Sequence, residues 1–164
     1  MAKRSKGRVR TAGTAETQTA AAGAALVSVR YVESSALVAA LLERDADALK
    51  SMRSKIKPIT SALTFAEAAR AIVRARVAER LTPDAERAAV RALRRFERRC
   101  YVVAITDDVL TRVRRPFPVE PVRTLDAVHL ATAESLGELP QLITMVTRDD
   151  RVRKNAKALG YSVE

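Results

Sequence analysis

The sequence predicts an α/β fold, with a mainly parallel sheet covered by helices on both sides. Three observations carry that prediction. Short apolar or β-branched runs (Leu26 to Val32, Tyr101 to Ile105, Leu142 to Thr147) alternate with longer stretches of helical periodicity. No hairpin turn signal joins consecutive runs. Two of the runs end on acids, Glu33 and Asp149. In open α/β sheets the carboxyl ends of parallel strands share the edge where ligands bind.

Each element has a local reason. The first strand covers about residues 26–32, and Ser34-Ser35 opens a helix to about Arg44. Residues 45–55 predict a short helix with Ala48, Leu49 and Met52 on one face, and Pro58-Ile59-Thr60 a short strand. A helix over about 64–80 has the apolar stripe Phe65, Ala68, Ala69, Ile72, Val73 and Val77. Thr82-Pro83-Asp84 supplies a hydroxyl cap, a first-turn proline and an acid at the positive dipole end, starting a helix to about Arg99. After the strand 101–105 come a short helix 107–114 and the breakers Pro116, Pro118 and Pro121. A helix 124–136 stops at Gly137, and after the strand 142–147 a last helix, 150–159, stops at Gly160.

The 164 residues suffice for one domain with a sizeable core, at 48% hydrophobic and 30% charged. With 4% aromatic residues and no Trp, that core is built from Ala, Val, Leu and Ile. Residues 1 to about 25 read as a flexible basic arm, with Lys3, Arg4, Lys6, Arg8 and Arg10 at its front, and 26–164 as the folded domain. The net charge of +11 points to a polyanion, nucleic acid before an anionic membrane surface. The single Cys100 excludes an internal disulfide and a cysteine zinc cluster. No apolar run reaches the roughly 18 residues of a membrane span, and the Ala-rich stretch 20–29 is a poor leader peptide, so a cytoplasmic location is expected.

Four acids attract attention. Glu33 and Asp149 follow strands; Glu67 and Asp126 lie early in helices among small apolar residues. Taken singly, each is accounted for by a helix dipole or an arginine salt bridge. Together they would repel one another unless a cation neutralised them. An oxygen-only donor set favours Mg²⁺ or Mn²⁺ over Zn²⁺, and such an ion can activate water and align a phosphodiester.

Four segments carry a family resemblance. Tyr31-Val32-Glu33-Ser34-Ser35-Ala36-Leu37 resembles the opening motif of PIN-domain ribonucleases, especially VapC-type toxins. Thr64-Phe65-Ala66-Glu67 resembles their second motif, and the stretch from Arg123 to Ala133, with Asp126, their third and most specific. Thr147-Arg148-Asp149 resembles the last. The resemblance covers about residue 28 onwards. It implies a PIN-like three-layer α/β/α sandwich with a mainly parallel central sheet, and a Mg²⁺- or Mn²⁺-dependent endoribonuclease. It further implies a homodimer neutralised by a cognate antitoxin, with no membrane partner. By motif matching, Glu33, Glu67, Asp126 and Asp149 form the acidic cluster, with Glu33, Asp126 and Asp149 on the metal and Ser35 and Thr147 as hydroxyl supports. Asp150 is the candidate if the last register shifts by one.

The departure is Glu33, where the family usually has Asp. The extra methylene opens a second expectation, a weakened nuclease that acts by binding RNA or a protein. Arg123 and Arg148, close in sequence to proposed carboxylates, are candidate RNA contacts that could equally pair with the acids. His129, the single histidine, lies three residues after Asp126 and reads as a packed helix residue more readily than as an acid or base. The arginines between Arg87 and Arg99 read as a solvated face, an RNA track or an antitoxin dock.

Overall fold

The computed structural model describes residues 29–164; the proposed basic arm lies outside them. β1 (Val29–Val32) leads through Glu33 into α1 (Ser34–Val38), which continues as a π-helical turn over Ala39–Glu43. Then come α2 (Ala46–Met52), β2 (Ile59–Ser61), α3 (Ala62–Val77), α4 (Pro83–Glu97), β3 (Tyr101–Val103), α5 (Asp107–Val113) and α6 (Thr124–Glu134). A single 3₁₀ turn, Pro140–Leu142, precedes β4 (Ile143–Val146), α7 (Asp150–Ala158) and β5 (Ser162–Val163).

The five strands are all parallel, in the order β3-β2-β1-β4-β5. Because side chains alternate along a strand, neighbouring residues feed opposite layers. Val32 and Val146 pack with Leu37, Met52, Ile72, Leu93 and Phe96 on one face, beneath α1 to α4. Tyr31 and Met145 pack with Val109, Val128, Leu130 and Val152 on the other, beneath α5 to α7. The architecture is the three-layer α/β/α sandwich with a parallel central sheet. A strand buried on both faces reads as a continuous apolar run, which explains why β1 and β4 were legible.

The chain winds outward from β1 through β2 to β3, then crosses back to place β4 on the other side of β1. The reversal leaves a crevice above the carboxyl ends of β1 and β4, the place where open α/β sheets bind ligands.

Several boundaries differ from the expected ones. Ser61 accepts a hydrogen bond from Leu63 N at 3.2 Å, so α3 starts at Ala62 rather than near Thr64. The α3 stripe is rotated: Ala68, Ala71, Ile72 and Ala75 are buried, whereas Val73 is 39% and Val77 78% exposed. Small side chains face the core there because α1 and α4 both pack against α3. β3 ends at Val103 rather than Ile105, and β5 was not foreseen; two residues carry no readable period. Residues 26–28 of the expected first strand lie outside the described residues. Gly137 (φ 68°) and Gly160 (φ 89°) end their helices in the left-handed region, as expected. Cys100 is buried beside β3, its thiol donating to Phe96 O at 3.1 Å, and burial pushes it up to about 12.

Candidate metal centre at the sheet switch point

Glu33 is the hub of the crevice. Its backbone N–H continues the β1–β4 ladder by donating to Val146 O at 3.0 Å, and its side chain caps α1. Oε2 accepts from Ser35 N at 3.0 Å, from Thr147 Oγ1 at 2.8 Å, and from the Ser35 hydroxyl. Oε1 accepts from Ser34 Oγ at 2.6 Å. The carboxylate is only 3% exposed, yet Oε1 keeps acceptor capacity after this one bond. A capping residue one methylene longer than Asp reaches all these donors, a physical use for the departure from the usual family residue.

The β4–α7 turn is tied to the same point. Thr147 is fully buried and also accepts from Asp149 N at 3.1 Å, and Ser35 Oγ accepts from Arg148 N at 2.8 Å. Asp149 caps α7, with Oδ1 accepting from Arg151 N and Val152 N at 2.7 and 3.1 Å. The neighbouring Asp150 is exposed and lies in the first turn of α7, with Arg153 4.0 Å away.

Asp126, in the first turn of α6, is half-buried, and its Oδ2 is buried without a hydrogen-bond partner among the described residues. Burial, followed by the charges of Asp149 and Glu33, pushes its carboxyl above the usual range, while Arg123 and Arg151 oppose the shift. Acids far apart in sequence therefore act on one another here.

Glu67 comes up from α3 on the opposite side. Its Oε2 lies 2.7 Å from His129 Nε2, and the same nitrogen is 3.8 Å from Glu33 Oε1. Burial works against ionisation of Glu67, but the hydrogen bond and charge of His129 prevail and hold its carboxyl below the usual range. His129 is itself buried, with Nδ1 3.1 Å from the Tyr31 hydroxyl. Donor atoms of Glu33, Glu67 and His129 all lie within 4.8 Å of one another.

Asp126 and Asp149 lie outside that group, and what ties them to a dication site is the orphaned Asp126 oxygen together with the charges of Asp149 and Glu33 that act on it. A buried anionic oxygen with no donor, flanked by like charges, lacks the compensation that a cation supplies. The residues fit.

A PIN-domain family profile matches residues 30–158, most of the chain. The chain belongs to the PIN-domain family. Among curated relatives, Ribonuclease VapC35 of Mycobacterium tuberculosis is 38% identical over 137 residues, covering 81% of this chain and 93% of that protein. Ribonuclease VapC46 of the same organism is 37% identical over 135 residues, covering 81% and 94%. Both place this PIN domain with the VapC-type proteins. Two solved structures share the fold. VapC20 of M. tuberculosis, named as a toxin cleaving the sarcin–ricin loop, is 20% identical with a TM-score of 0.58, covering 80% of this chain and 95% of its own. PAE2754 of Pyrobaculum aerophilum is 25% identical with a TM-score of 0.52, covering 84% and 98%.

In this PIN domain the two arginines singled out in the sequence have different surroundings. Arg123 occupies the cap position of α6, exposed and next to the acids. Arg148 turns its guanidinium away, donating from Nε and Nη2 to Asp45 at 2.9 and 3.0 Å. Sequence reasoning missed Asp45 as its partner and undervalued His129. The i, i+3 spacing from Asp126 was the one available signal for the histidine; the 103-residue separation left none for Asp45.

The Asp45–Arg148 pair has a pH consequence. The Arg148 hydrogen bonds, then the Ala48 N–H, hold the Asp45 carboxyl well below its ordinary value. A depressed folded-state pKa contributes stability above the unfolded value near 4, and that stability is lost as pH falls through the folded value. Denaturant stability of the unmutated chain should therefore fall more steeply below about pH 4 than that of Asp45→Asn. Parallel acid limbs in urea titrations of the two proteins would reject the pairing.

Proposed function

We propose that this chain is a Mg²⁺- or Mn²⁺-dependent endoribonuclease, the toxin of a toxin–antitoxin pair. On this reading it works in the cytoplasm as a homodimer held in check by a cognate antitoxin. The observation that carries the reading is the buried Asp126 oxygen, without a hydrogen-bond partner among the described residues and under the charges of Asp149 and Glu33. The names of the VapC35 and VapC46 relatives supply the substrate class.

Glu33 (through Oε1), Asp126 and Asp149 are the residues that would hold the metal. A bound dication would neutralise the carboxylates, raise the acidity of water and stabilise charge on the phosphate in transit. Ser34, Ser35 and Thr147 fix the Glu33 carboxylate, so its free acceptor position is set before substrate arrives. Glu67, kept ionised by His129, adds a negative oxygen suited to orienting the attacking water. Arg123 is the exposed cation best placed to hold the scissile phosphate.

The test is cleavage of a structured RNA by the purified chain with Mg²⁺, with Mn²⁺, or with EDTA. Cleavage that needs the metal and leaves 5′-phosphate ends is expected; cleavage undiminished in EDTA would sink the reading. A second reading, a weakened nuclease that acts by binding, draws on Glu33 Oε2, which already receives three donors. Glu33→Asp separates the two. A rise in cleavage of about tenfold or more, roughly 1.4 kcal/mol of barrier, favours the weakened nuclease, and an equal or lower rate favours the competent one.

A further inference from the structure

A groove of about 1100 Å³ lies on the α2 side of the sheet, away from the carboxylate pocket. Its walls come from β1 (Arg30), from α2 and the stretch after it (Lys50, Arg53, Lys55), from the β4–α7 turn (Arg148) and from α7 (Arg153). Three acids also line it, but two are already matched. Asp45 is held by Arg148 through two hydrogen bonds, and Glu164 by Arg30 through two more, one at 2.9 Å. Asp47 is the third. No carboxylate lies within 4.0 Å of Lys50, Arg53 or Lys55 among the described residues, and all three are exposed. Paired acids and unmatched cations give the groove a net positive field, suited to a polyanion.

The groove is joined to the acid site through one turn. Arg153 donates to Thr147 O at 2.8 Å, and Arg148 N donates to Ser35 Oγ. Ser35 and Thr147 in turn both donate to Glu33 Oε2. Arg99 donates to the carbonyl of the groove-lining Ser54 at 3.4 Å, which brings the end of α4, with the exposed Arg94, Arg95 and Arg98, to one side of the groove.

We propose that this groove is the track for the RNA strand flanking the cleavage point, with Lys50, Arg53 and Lys55 contacting successive phosphates. The inference rests on the nuclease reading of the carboxylate pocket. Four acids around a scissile phosphate repel the strand that carries it, so an anionic substrate needs cations close by and uncommitted. The groove supplies them, and the turn that carries Arg148, itself committed to Asp45, links it to the pocket. It also gives the α4 arginines a role as the outer end of the same path.

The test measures binding of a looped RNA oligonucleotide in an Asp126→Asn background, so that cleavage does not interfere, across a salt titration. Lys50→Glu/Arg53→Glu/Lys55→Glu should weaken binding by at least about tenfold and flatten the slope of log affinity against log salt by about 2, as expected for three lost phosphate contacts on a single strand. The comparison is Arg80→Glu/Arg115→Glu/Lys157→Glu, which makes the same change in net charge on other faces and should alter affinity by less than about threefold with the slope kept. Equal weakening by the two triple variants, or an unchanged slope in the groove variant, overturns the track. The nuclease reading is judged apart from this, on cleavage by the unmutated chain. Groove-dependent binding by a chain that cuts no RNA supports the track and sinks the nuclease.

Discussion

Asp126→Asn should nearly abolish RNA cleavage while making the metal-free fold more stable. The two effects have one cause. Asp126 is half-buried, one of its oxygens has no donor, and Asp149 and Glu33 both push its carboxyl towards protonation. A raised folded-state pKa means that the ionised acid destabilises the fold once pH exceeds the unfolded value near 4, and that this penalty persists at neutral pH. The neutral amide removes it. Because the group is substantially exposed, solvent screens the repulsion, and the expected gain is only about 0.5–1 kcal/mol, or a Tm rise of about 1–4 °C. The same change removes a negative ligand from the proposed dication, whose charge stabilisation is worth several kcal/mol, so cleavage should drop by about 10²- to 10⁴-fold. Thermal unfolding in EDTA beside cleavage in Mn²⁺ checks both. A variant that cuts as fast as the parent, or one that melts several degrees lower, would remove Asp126 from the site.

Glu33→Ala should be among the most damaging single substitutions to the fold itself. Glu33 accepts one backbone N–H and three hydroxyls and caps α1 directly below the switch point. Loss of a helix cap costs about 1 kcal/mol, and each buried donor left without an acceptor about 1–3 kcal/mol. Rotating hydroxyls and entering water recover part of this, and relief of repulsion with Asp126, the smallest contributor to the penalty on that acid, offsets only about 0.2–0.3 kcal/mol more. A net loss of about 2–4 kcal/mol remains, because four donors outweigh one screened repulsion. Urea unfolding in EDTA measures it without interference from metal. A loss below about 0.5 kcal/mol, the range of ordinary surface changes, would mean that the Glu33 network does not hold the crevice together. Glu33→Gln, which keeps the size and one acceptor oxygen, should fall between alanine and the parent.

The sequence by itself determined the alternation of strands and helices, the parallel sheet and the strand-end placing of Glu33 and Asp149. These are local matters: apolar period, caps such as Thr82-Pro83, and glycine stops at 137 and 160. It also picked out Glu67 and Asp126 as acids in unexpectedly apolar company. What it could not determine was which side chains meet. The strand order, with β4 returning beside β1, decides that Thr147 donates to Glu33 across 114 residues. Helix packing around β1 decides that His129 stands between Tyr31 and Glu67. Arg148, close in sequence to Asp149, has its guanidinium held instead by Asp45, because a carboxylate that accepts two hydrogen bonds lies within reach there. Period and capping are written residue by residue along the chain, whereas these pairings depend on where separate elements are laid against one sheet, and only the tertiary structure sets that.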